Sequence, residues 1–351
     1  MLLRRHQTSV RKALEQLVGM QAQVPDAPYV GLWARPMRFR AGDLSALVAD
    51  RQVVRGSAMR GTIHLLTDDD FLALRPVLQA VLERDVHTNT TYGKERLEGL
   101  DVPAVLSFGK TLLEQRPRTA AELRDLLGRH WPDRDPAALA YAVRGLLPLV
   151  HVPPRGLWRR RGPVAMTMAD TWLGRPVPVD RAPDSVVLRY LAAYGPATAA
   201  DAGTWSGLRG MTEVFDRLRP RLTTYRDERG RELFDLPEAP LPDPQAPAPP
   251  RFLPEFDNVL LSHADRTRIV AEEHRTLLTA DRMMRVVLLD GFARATWRLE
   301  HEARRASLVV TPFESLAEKD RGALEVEGRR LLRFWVGPSN GHVLEVRFSR
   351  S

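Results

Sequence analysis

The chain has 351 residues, which predicts two or three domains at roughly 150 residues per domain. It has no cysteine, which excludes thiol catalysis, iron–sulfur clusters, thiolate zinc sites and disulfides. Lys and Arg total 52 against 44 Asp and Glu, and this net charge of +8 weakly favours a nucleic-acid partner. No apolar stretch is long enough for an export signal or a membrane span, so we expect a cytoplasmic protein.

An internal repeat organises the middle of the chain. Residues 116–127 read RPRTAAELRDLL, and residues 195–206 read GPATAADAGTWS. In each copy a threonine, Thr119 or Thr198, precedes Ala-Ala and an acidic residue, which is typical of a capped helix start. An apolar-periodic segment precedes each copy and a second short helix follows it. Four further helical segments are thereby predicted, at 105–115, 137–148, 185–194 and 210–220.

Both copies end in an alternating apolar and polar stretch around a Gly turn, at 149–166 and 221–236. Helix, short helix, helix and β-hairpin is the order of a winged helix. A third, degraded copy fits the N-terminus, where 11–20 is helical, a helix starts behind Asp43, and 60–66 alternates like a strand. The sequence therefore predicts three winged-helix units in tandem, arranged in an arc.

The remaining segments complete an α+β protein. Residues 67–86 predict a helix kinked at Pro76, and 237–250, with seven prolines, predict a linker. The last 100 or so residues predict a β-rich region, either a small barrel or a sheet, with a hairpin turn at Asp290-Gly291 and a partly helical stretch at 314–335. The predicted strands lie at 256–262, 275–279, 285–300 and 306–313. The predicted divisions are 1–100, 101–180, 181–250 and 251–351.

Common catalytic and cofactor motifs are absent from the sequence. It contains no GxGxxG, no Walker A loop, no HExxH and no GxSxG. The nine histidines are scattered, and no two have the spacing of metal ligands. We therefore expect no cofactor and no metal.

A pair of glutamines follows the first predicted helix, in Gln21-Ala22-Gln23-Val24-Pro25. Pro25 biases Val24 towards an extended conformation, in which side chains two residues apart project to the same face. Two neighbouring amides would then offer acceptor oxygens and N–H donors on one surface. The spacing alone also fits two polar residues in an ordinary transition from helix to loop.

Two further groups of residues could bind or support a ligand. Alternation in the 60–66 strand places Arg60, Thr62 and His64 on one face, which fits a solvated strand face equally well. The wing of the second unit carries four arginines that suit phosphate contacts, although arginine is common throughout this chain. They are Arg155, Arg159, Arg160 and Arg161.

Together these segments resemble the AlkZ/YcaQ family of bacterial winged-helix DNA glycosylases. The resemblance rests on GMQAQ at 19–23, AMRGTIHLL at 58–66, the tandem winged helices and RFLPEFDNVLLSHADRTR at 251–268, and it covers nearly the whole chain. Its most specific element is a paired motif, Gln-Φ-Gln in AlkZ-like members and Gln-Φ-Asp in YcaQ-like ones. Gln21-Ala22-Gln23 matches the AlkZ-like form, with a small residue at the centre.

The resemblance implies a monomeric, monofunctional N-glycosyl hydrolase that acts on double-stranded DNA. Family members excise N7-alkylated guanines, and several unhook interstrand crosslinks made by natural products, which links them to antibiotic self-resistance. Gln21 and Gln23 become the catalytic pair by this resemblance. The DNA-binding or site-supporting residues would be Arg60, Thr62, His64, Arg159, Arg160 and Arg161.

The chemistry is consistent with these roles. An N7-alkylated guanine is already cationic, so it can leave without a general acid, and the site must only aim a water and steady the sugar cation. A glutamine amide is no general base, but its carbonyl oxygen can hold a water. His64 is the one nearby group with an ordinary pKa close to neutrality, and it could act as an acid. Because a crosslinked guanine cannot flip out freely, we expect an open active surface.

The main alternative is a non-enzymatic winged-helix regulator, because fold alone does not fix function. Release of free base from duplex DNA bearing 7-methylguanine separates the two, since a regulator would only bind. A protein-interaction module is a third possibility, and its affinity would be insensitive to salt.

Overall fold

The computed structural model describes residues 1–279, 284–302, 305–337 and 342–349. Helices and strands alternate along the chain, which confirms the predicted α+β class. The helices are α1 Val10–Gln16, α2 Ala27–Trp33, α3 Ala41–Ala49, α4 Asp68–Val77, α5 Gln79–Thr88, α6 Val102–Gln115, α7 Ala120–His130, α8 Pro136–Leu146, α9 Ala169–Leu173, α10 Asp184–Tyr194, α11 Ala199–Ser206, α12 Met211–Leu218, α13 Asn258–Leu261, α14 Arg275–Thr279 and α15 Glu318–Val336. The strands are β1 Met20–Gln21, β2 Val53–Ser57, β3 Ile63–Thr67, β4 Arg118–Thr119, β5 Leu149–His151, β6 Ala165–Met168, β7 Thr223–Arg226, β8 Glu232–Asp235, β9 Arg251–Leu253, β10 Val286–Leu289, β11 Phe292–Glu302, β12 Arg305–Pro312 and β13 Val343–Phe348.

One order of elements occurs three times. The second unit runs α6, β4, α7, α8, β5 and β6, and the first runs α1, β1, α2, α3, β2 and β3. The third runs α10, α11, α12, β7 and β8, and a single bridge from Ala197 to Phe234 replaces its short first strand. The first unit, predicted as a degraded copy, has the same element order as the second, because Val53–Ser57 and Met20–Gln21 form strands that were not predicted.

The threonines of the repeat cap their helices as predicted. Thr119 Oγ1 accepts from the N–H of Glu122 at 3.2 Å, and the Glu122 carboxylate accepts from the N–H of Thr119 at 2.7 Å. Thr198 and Asp201 form the same reciprocal pair at 3.0 and 2.8 Å. Each box satisfies two backbone donors at a helix start and stabilises its unit by about 1 kcal/mol.

The first two units share one sheet. Its strand order is β1-β3-β2-β5-β6-β4, and β2 pairs antiparallel with β5 through Arg55 opposite His151 and Gly56 opposite Val150. A Cβ on Gly56 would lie 2.6 Å from the Phe71 ring and 2.7 Å from the Leu149 carbonyl oxygen, so only glycine fits this crossing. The predicted boundary at residue 100 therefore lies between two units that have the same order of elements. It does not divide the sheet, because strands of both units belong to it.

The 60–66 segment differs from the predicted strand at its start. Strand β3 begins at Ile63, and Met59–Gly61 forms a 3₁₀ turn in which Arg60 has φ 57° and Gly61 φ 69°. Ser57 pairs with Ile63, so these residues are the turn of the β2–β3 hairpin, the wing of the first unit. Alternation does not extend through a turn, and the prediction that Arg60 belongs to the strand face was wrong for this reason.

Two other predicted helices differ in detail. Helix α3 begins at Ala41, so Asp43 lies in its first turn instead of at its cap. The 67–86 segment, predicted as one helix kinked at Pro76, forms two helices, α4 and α5, which are separated at Leu78 two residues after Pro76.

The C-terminal region is an open sheet and a helix. Strands follow the order β13-β12-β11-β10-β9, and among the described residues β9 and β13 lie at opposite edges, so the region is not a barrel. Leu289 pairs with Phe292 across the predicted Asp290-Gly291 turn. Helix α15 packs Leu324, Leu331 and Leu332 into the core of this sheet.

Two predicted strands of this region are helices. Residues 256–262 contain α13, because the Asp257 carboxylate caps it by accepting from the N–H of Val259 at 3.1 Å. Residues 275–279 form α14, which continues a 3₁₀ turn at Glu272–His274. Short apolar runs such as these fit a strand or a buried helix equally well. In the part of the chain that the structure describes, no helix is long and apolar enough to cross a membrane.

Candidate active site

Two residues with left-handed backbone angles precede the first glutamine and determine where it lies. After α1, Val18 has φ 51° and Gly19 φ 81°, and the chain then enters β1 with Gln21 directly opposite His64 of β3. A Cβ on Gly19 would lie 2.3 Å from Leu66 Cδ2 and 2.9 Å from the Leu65 carbonyl oxygen. Only glycine therefore allows β1 to pair with β3, and the pairing brings the two side chains to one face.

Gln21 is 6% exposed, and its amide is held by an arginine. Gln21 Oε1 accepts a hydrogen bond from Arg60 Nη2 at 2.9 Å. The other terminal nitrogen of Arg60 donates to the backbone carbonyl of Trp205 in α11 of the third unit. Arg60 thus fixes the orientation of the Gln21 amide and ties the first wing to the third unit.

His64 lies beside this arginine and is 2% exposed. Its Nδ1 is 3.0 Å from the Thr62 carbonyl oxygen and donates to it, which leaves Nε2 facing Arg60 Nη2 at 3.4 Å. Burial, and then the charge of Arg60, lowers the pKa of His64 to about 3. The imidazole is therefore neutral at physiological pH, and the expectation of a pKa near neutrality was wrong.

Gln23 lies at the surface two residues further on. The chain between the glutamines is extended, since the N–H of Ala22 donates to the Ile63 carbonyl oxygen at 2.7 Å. Gln23 Oε1 receives only a long contact, 3.4 Å, from the N–H of Ile63. The structure thus has one buried, fixed amide and one exposed amide along the same strand edge.

The Thr62 side chain points into the β2–β3 hairpin to which it belongs. Its hydroxyl donates to the Met59 carbonyl oxygen at 3.1 Å, within the turn that carries Arg60. Arg60, Thr62 and His64 are therefore brought together with Gln21, although Thr62 makes its described contact with the turn and not with the amide.

Arg55 supports the site and was missed from the sequence. Its Nε and Nη2 donate to the Ala22 carbonyl oxygen at 3.1 and 2.8 Å, and its Nη1 is 2.7 Å from His151 Nδ1. Burial, with repulsion from Arg155, lowers the pKa of Arg55 to about 10. Arg55 clamps the peptide between the two glutamines, and the adjoining Val53-Val54 was the only sequence sign of a strand here.

The wing of the second unit folds back onto the first unit. The Trp158 ring lies 4.9 Å from Tyr29 and 5.1 Å from Trp335 of α15, and the Tyr29 hydroxyl donates to the Gly156 carbonyl oxygen at 2.8 Å. Beyond Trp158, Arg159, Arg160 and Arg161 are exposed.

This wing meets the first unit beside the glutamines. The N–H of Arg159 is 3.4 Å from a carboxylate oxygen of Asp26, three residues after Gln23. Burial raises the pKa of Asp26, and the charges of Arg159, Arg285 and Arg161 oppose that shift. The Arg159 backbone and the charge of Arg161 therefore lie near Asp26, while the Arg159 side chain turns towards α15, with Nη1 3.4 Å from the Trp335 carbonyl oxygen. Arg155 is only half-buried and lies near Arg55.

Among the described ranges no group of three or more His, Asp or Glu side chains could hold a metal ion. The polar groups around Gln21 are amide, guanidinium, imidazole and backbone carbonyl. This arrangement can orient a small neutral molecule such as water, but it offers no titrating acid or base next to Gln21 near neutral pH.

Comparisons with known proteins agree with the resemblance seen in the sequence. The family described as "DNA glycosylase AlkZ-like" matches residues 14–334. A relative from Streptomyces sahachiroi, the interstrand DNA cross-link repair glycosylase, is 27% identical over 354 residues, covering 94% of this chain and 91% of the relative. The solved structure of the Streptomyces sahachiroi DNA glycosylase AlkZ has the same fold, with a TM-score of 0.77 at 24% identity over 99% of this chain and 95% of that one. Because the family match spans most of the chain, the protein belongs to the AlkZ-like DNA glycosylases and is an enzyme, not a non-enzymatic regulator.

Proposed function

We propose that this glycosylase excises cationic N7-alkylguanine adducts from double-stranded DNA and unhooks interstrand crosslinks joined through such guanines. The observation that carries the proposal is the buried Gln21 amide, fixed by Arg60, on the same strand edge as the exposed Gln23. The cross-link repair activity named for the Streptomyces sahachiroi relative supports the second part.

The reaction replaces one bond to the sugar by another. The C1′–N9 bond breaks, its electron pair neutralises the positive charge of the alkylated base, and a water adds to C1′ and loses a proton to solvent. A carbonyl oxygen has two lone-pair positions. Arg60 occupies one on Gln21 Oε1, and the other accepts a hydrogen from the attacking water. Gln23 holds the sugar or the water from the exposed side.

A neutral His64 restricts the substrates. Among the described residues, the imidazole beside Gln21 cannot protonate a neutral leaving base at physiological pH, because the pKa of His64 is lowered to about 3. The base must therefore carry its own positive charge. Uracil, hypoxanthine and 8-oxoguanine should stay in place.

The exposure of Gln23 fits a base that cannot leave the helix. A guanine tied to the opposite strand is held in the duplex, so an open surface serves it better than a closed pocket. The exposed Arg159, Arg160 and Arg161 belong to the wing whose backbone contacts Asp26, and in this proposal they supply positive charge for the DNA backbone.

The test is a panel of duplexes that each carry one lesion. We expect free 7-methylguanine and an uncut abasic site from the cationic substrate, no release of uracil, hypoxanthine or 8-oxoguanine, and strand separation of a duplex crosslinked through guanine N7. Release of a neutral base that disappears in His64→Ala would contradict the proposal, because it would require general-acid catalysis. A duplex with unmodified guanine is the control.

A further inference from the structure

We propose that Asn258 is a positioning residue for Gln21, and that it acts by fixing the backbone that leads into β1. This inference deepens the proposed function of the glutamine pair and rests on it. It also assigns a task to the motif at 251–268, which the chemistry above does not use.

Asn258 is 7% exposed and is aimed at the turn before β1. Its Nδ2 donates to the carbonyl oxygen of Gly19 at 2.8 Å and to that of Leu17 at 3.2 Å, and it also lies within hydrogen-bond distance of the Tyr194 hydroxyl. The Tyr194 hydroxyl donates to the Leu17 carbonyl oxygen at 2.6 Å. Two side chains from distant parts of the chain therefore close around one turn.

This turn controls where Gln21 lies. The carbonyl of Gly19 belongs to the peptide that joins it to Met20, one residue before Gln21, and both Val18 and Gly19 have left-handed φ. The amide of Asn258 fixes the plane of that peptide. Rotation of the plane would move Gln21 relative to Arg60, and a displacement of about 1 Å in a reacting geometry can cost roughly 10²-fold in rate.

Asn258 is itself held rigidly. The neighbouring Asp257 makes a two-pronged pair with Arg35 of α2, at 2.7 and 2.9 Å, and both side chains are almost wholly buried. Further along, the Ser262 carbonyl oxygen accepts from the Tyr190 hydroxyl at 2.7 Å. Residues 257–262 therefore join the first unit to the third.

The same third unit holds the other end of Gln21. Its Trp205 carbonyl accepts from Arg60, and Arg60 donates to the Gln21 side chain. Asn258 controls the backbone of Gln21, and the chain from Trp205 through Arg60 controls its amide. The third unit thus contributes to the site because its contacts help to hold both the backbone and the side-chain amide of Gln21.

The variant Asn258→Asp tests this placement with almost no change in volume. It replaces an amide that donates to two carbonyls by a carboxylate that cannot donate. When the introduced carboxyl is protonated it regains one O–H donor, so its effect should decline as the pH falls from 8 to 5. The charged or titratable described groups around position 258 include Arg35, Asp257, Tyr194, Arg60 and His263; burial raises the pKa of Tyr194, which stays neutral over this range, and burial lowers the pKa of His263. Rates are compared with the wild-type enzyme at each pH.

Asn89→Asp is the matched control. The Asn89 side chain accepts from the N–H groups of Thr91 and Tyr92 at 3.0 and 2.9 Å, which a carboxylate can also do, and its further interaction is with the Tyr141 hydroxyl at the surface, far along the chain from the glutamines. The single-turnover rate of 7-methylguanine release, the Kd for the same duplex and the Tm are measured for both variants. We expect the rate of Asn258→Asp at pH 8 to fall about tenfold or more, with Kd within about threefold, partial recovery at pH 5, and an unchanged rate in Asn89→Asp.

Other outcomes overturn the inference. An unchanged rate in Asn258→Asp would contradict the positioning role. A joint loss of rate, DNA affinity and Tm with no recovery in acid would contradict it as well, because such a loss indicates a structural role only. If Asn258→Asp does not fold, Tyr194→Phe decides, because it removes one donor to the Leu17 carbonyl: a lower rate with unchanged Kd supports the placement, and an unchanged rate overturns it.

Failure of the proposed function is recognised separately. If the wild-type enzyme releases no 7-methylguanine, or Gln21→Ala is as active as wild type, the role of the glutamine pair fails. If Gln21→Ala is inactive while Asn258→Asp keeps the full wild-type rate, only the positioning role of Asn258 fails.

Discussion

In each unit a short segment, here called the corner, joins the first helix to the second. Two different kinds of hydrogen bond hold this corner in the three units. In the second and third units, Thr119 and Thr198 close the corner through a reciprocal cap with a residue three positions along. In the first unit the corresponding helix α2 begins at Ala27, and the side chain of the preceding Asp26 makes no cap bond and faces the wing of the second unit instead. Gln21 ends the strand before it, and Gln23 lies in the segment between that strand and the helix.

The difference lies in how far along the chain the partners are. The caps join residues three apart, whereas Gln21 is held by Arg60 at a separation of 39, Ala22 by Arg55 at 33, and Gly19 by Asn258 at 239. In the capped corners the threonine and the acidic side chain are both used to satisfy the backbone of the helix start. In the first unit distant residues hold the corner instead, so the two glutamine side chains remain available for chemistry.

Breaking the glutamine pair should have the largest effect. Gln21→Ala and Gln23→Ala should each lower the single-turnover rate of base release by roughly 10²-fold or more, as expected when one positioned polar group is removed. DNA affinity should be almost unchanged, since neither amide neutralises a phosphate. Thr119→Ala and Thr198→Ala, at the equivalent corners, are the matched controls and should keep the wild-type rate.

Equal losses of binding and of base release in the glutamine variants would argue against a catalytic role. Rate losses in the threonine variants as large as those in the glutamine variants would remove the contrast between the corners.

The free energy of unfolding should fall in acid because of the buried His64 imidazole of the first unit. In the unfolded chain His64 has its ordinary pKa of 6.5, and in the folded chain burial and Arg60 lower the pKa to about 3. The unfolded state therefore binds more protons between these values, and the free energy of unfolding falls as the pH drops below about 6.5. From pH 7.5 to pH 5 the loss due to His64 should be about 2 kcal/mol.

Urea unfolding at pH 7.5 and pH 5 measures this loss. The pKa of His151 is also lowered to about 3, by burial and by Arg55, so His64→Asn should remove only about half of the combined dependence on pH. A dependence that His64→Asn leaves untouched would show that this imidazole is not held neutral in the folded state.

The exposed wing arginines should affect binding and not chemistry. Replacing Arg159, Arg160 and Arg161 together by alanine should weaken binding to all duplexes and reduce the salt slope by roughly one unit for each phosphate that is no longer neutralised. Binding at several salt concentrations measures the slope, with Arg129→Ala of exposed helix α7 as a single-charge control. An unchanged slope would mean that another surface meets the DNA.

The threonine caps should give the smallest effect, and it should appear only in stability. Thr119→Ala or Thr198→Ala should cost about 1 kcal/mol of unfolding free energy because the N–H at the third helical position loses its acceptor. Urea unfolding at neutral pH measures this cost. Thr119→Ser, which keeps the oxygen, should restore most of the stability.

The two kinds of corner differ in how well they could be predicted from the sequence. The caps are local, so the repeat of a threonine before Ala-Ala and an acid identified both helix starts correctly. Pro25 favoured an extended chain, and Ala22 indeed keeps a strand hydrogen bond to Ile63. The resemblance identified the family because its motifs lie in contiguous segments of the sequence.

Arg60 and His64 were expected near the glutamines, but the contacts that support the site could not be predicted in this way. Arg55 and Asn258 act on backbone carbonyls, and neither interaction leaves a pattern in the chain around it. Arg60 was placed on a strand face, yet it reaches Gln21 from a turn whose left-handed backbone no alternation can reveal. The neutral state of His64 depends on burial and on one neighbouring charge, and both arise only in the folded protein.

The pairing of β2 with β5 has a consequence for synthesis of the protein on the ribosome. Arg55 and its partner His151 are 96 residues apart, so one edge of the first wing has no neighbour until that much more chain has emerged. At 5 to 20 residues per second this takes roughly 5 to 20 seconds. An open strand edge is a site for wrong pairing between nascent chains. A fragment ending at residue 100 should therefore aggregate, whereas one that extends through β6 covers that edge.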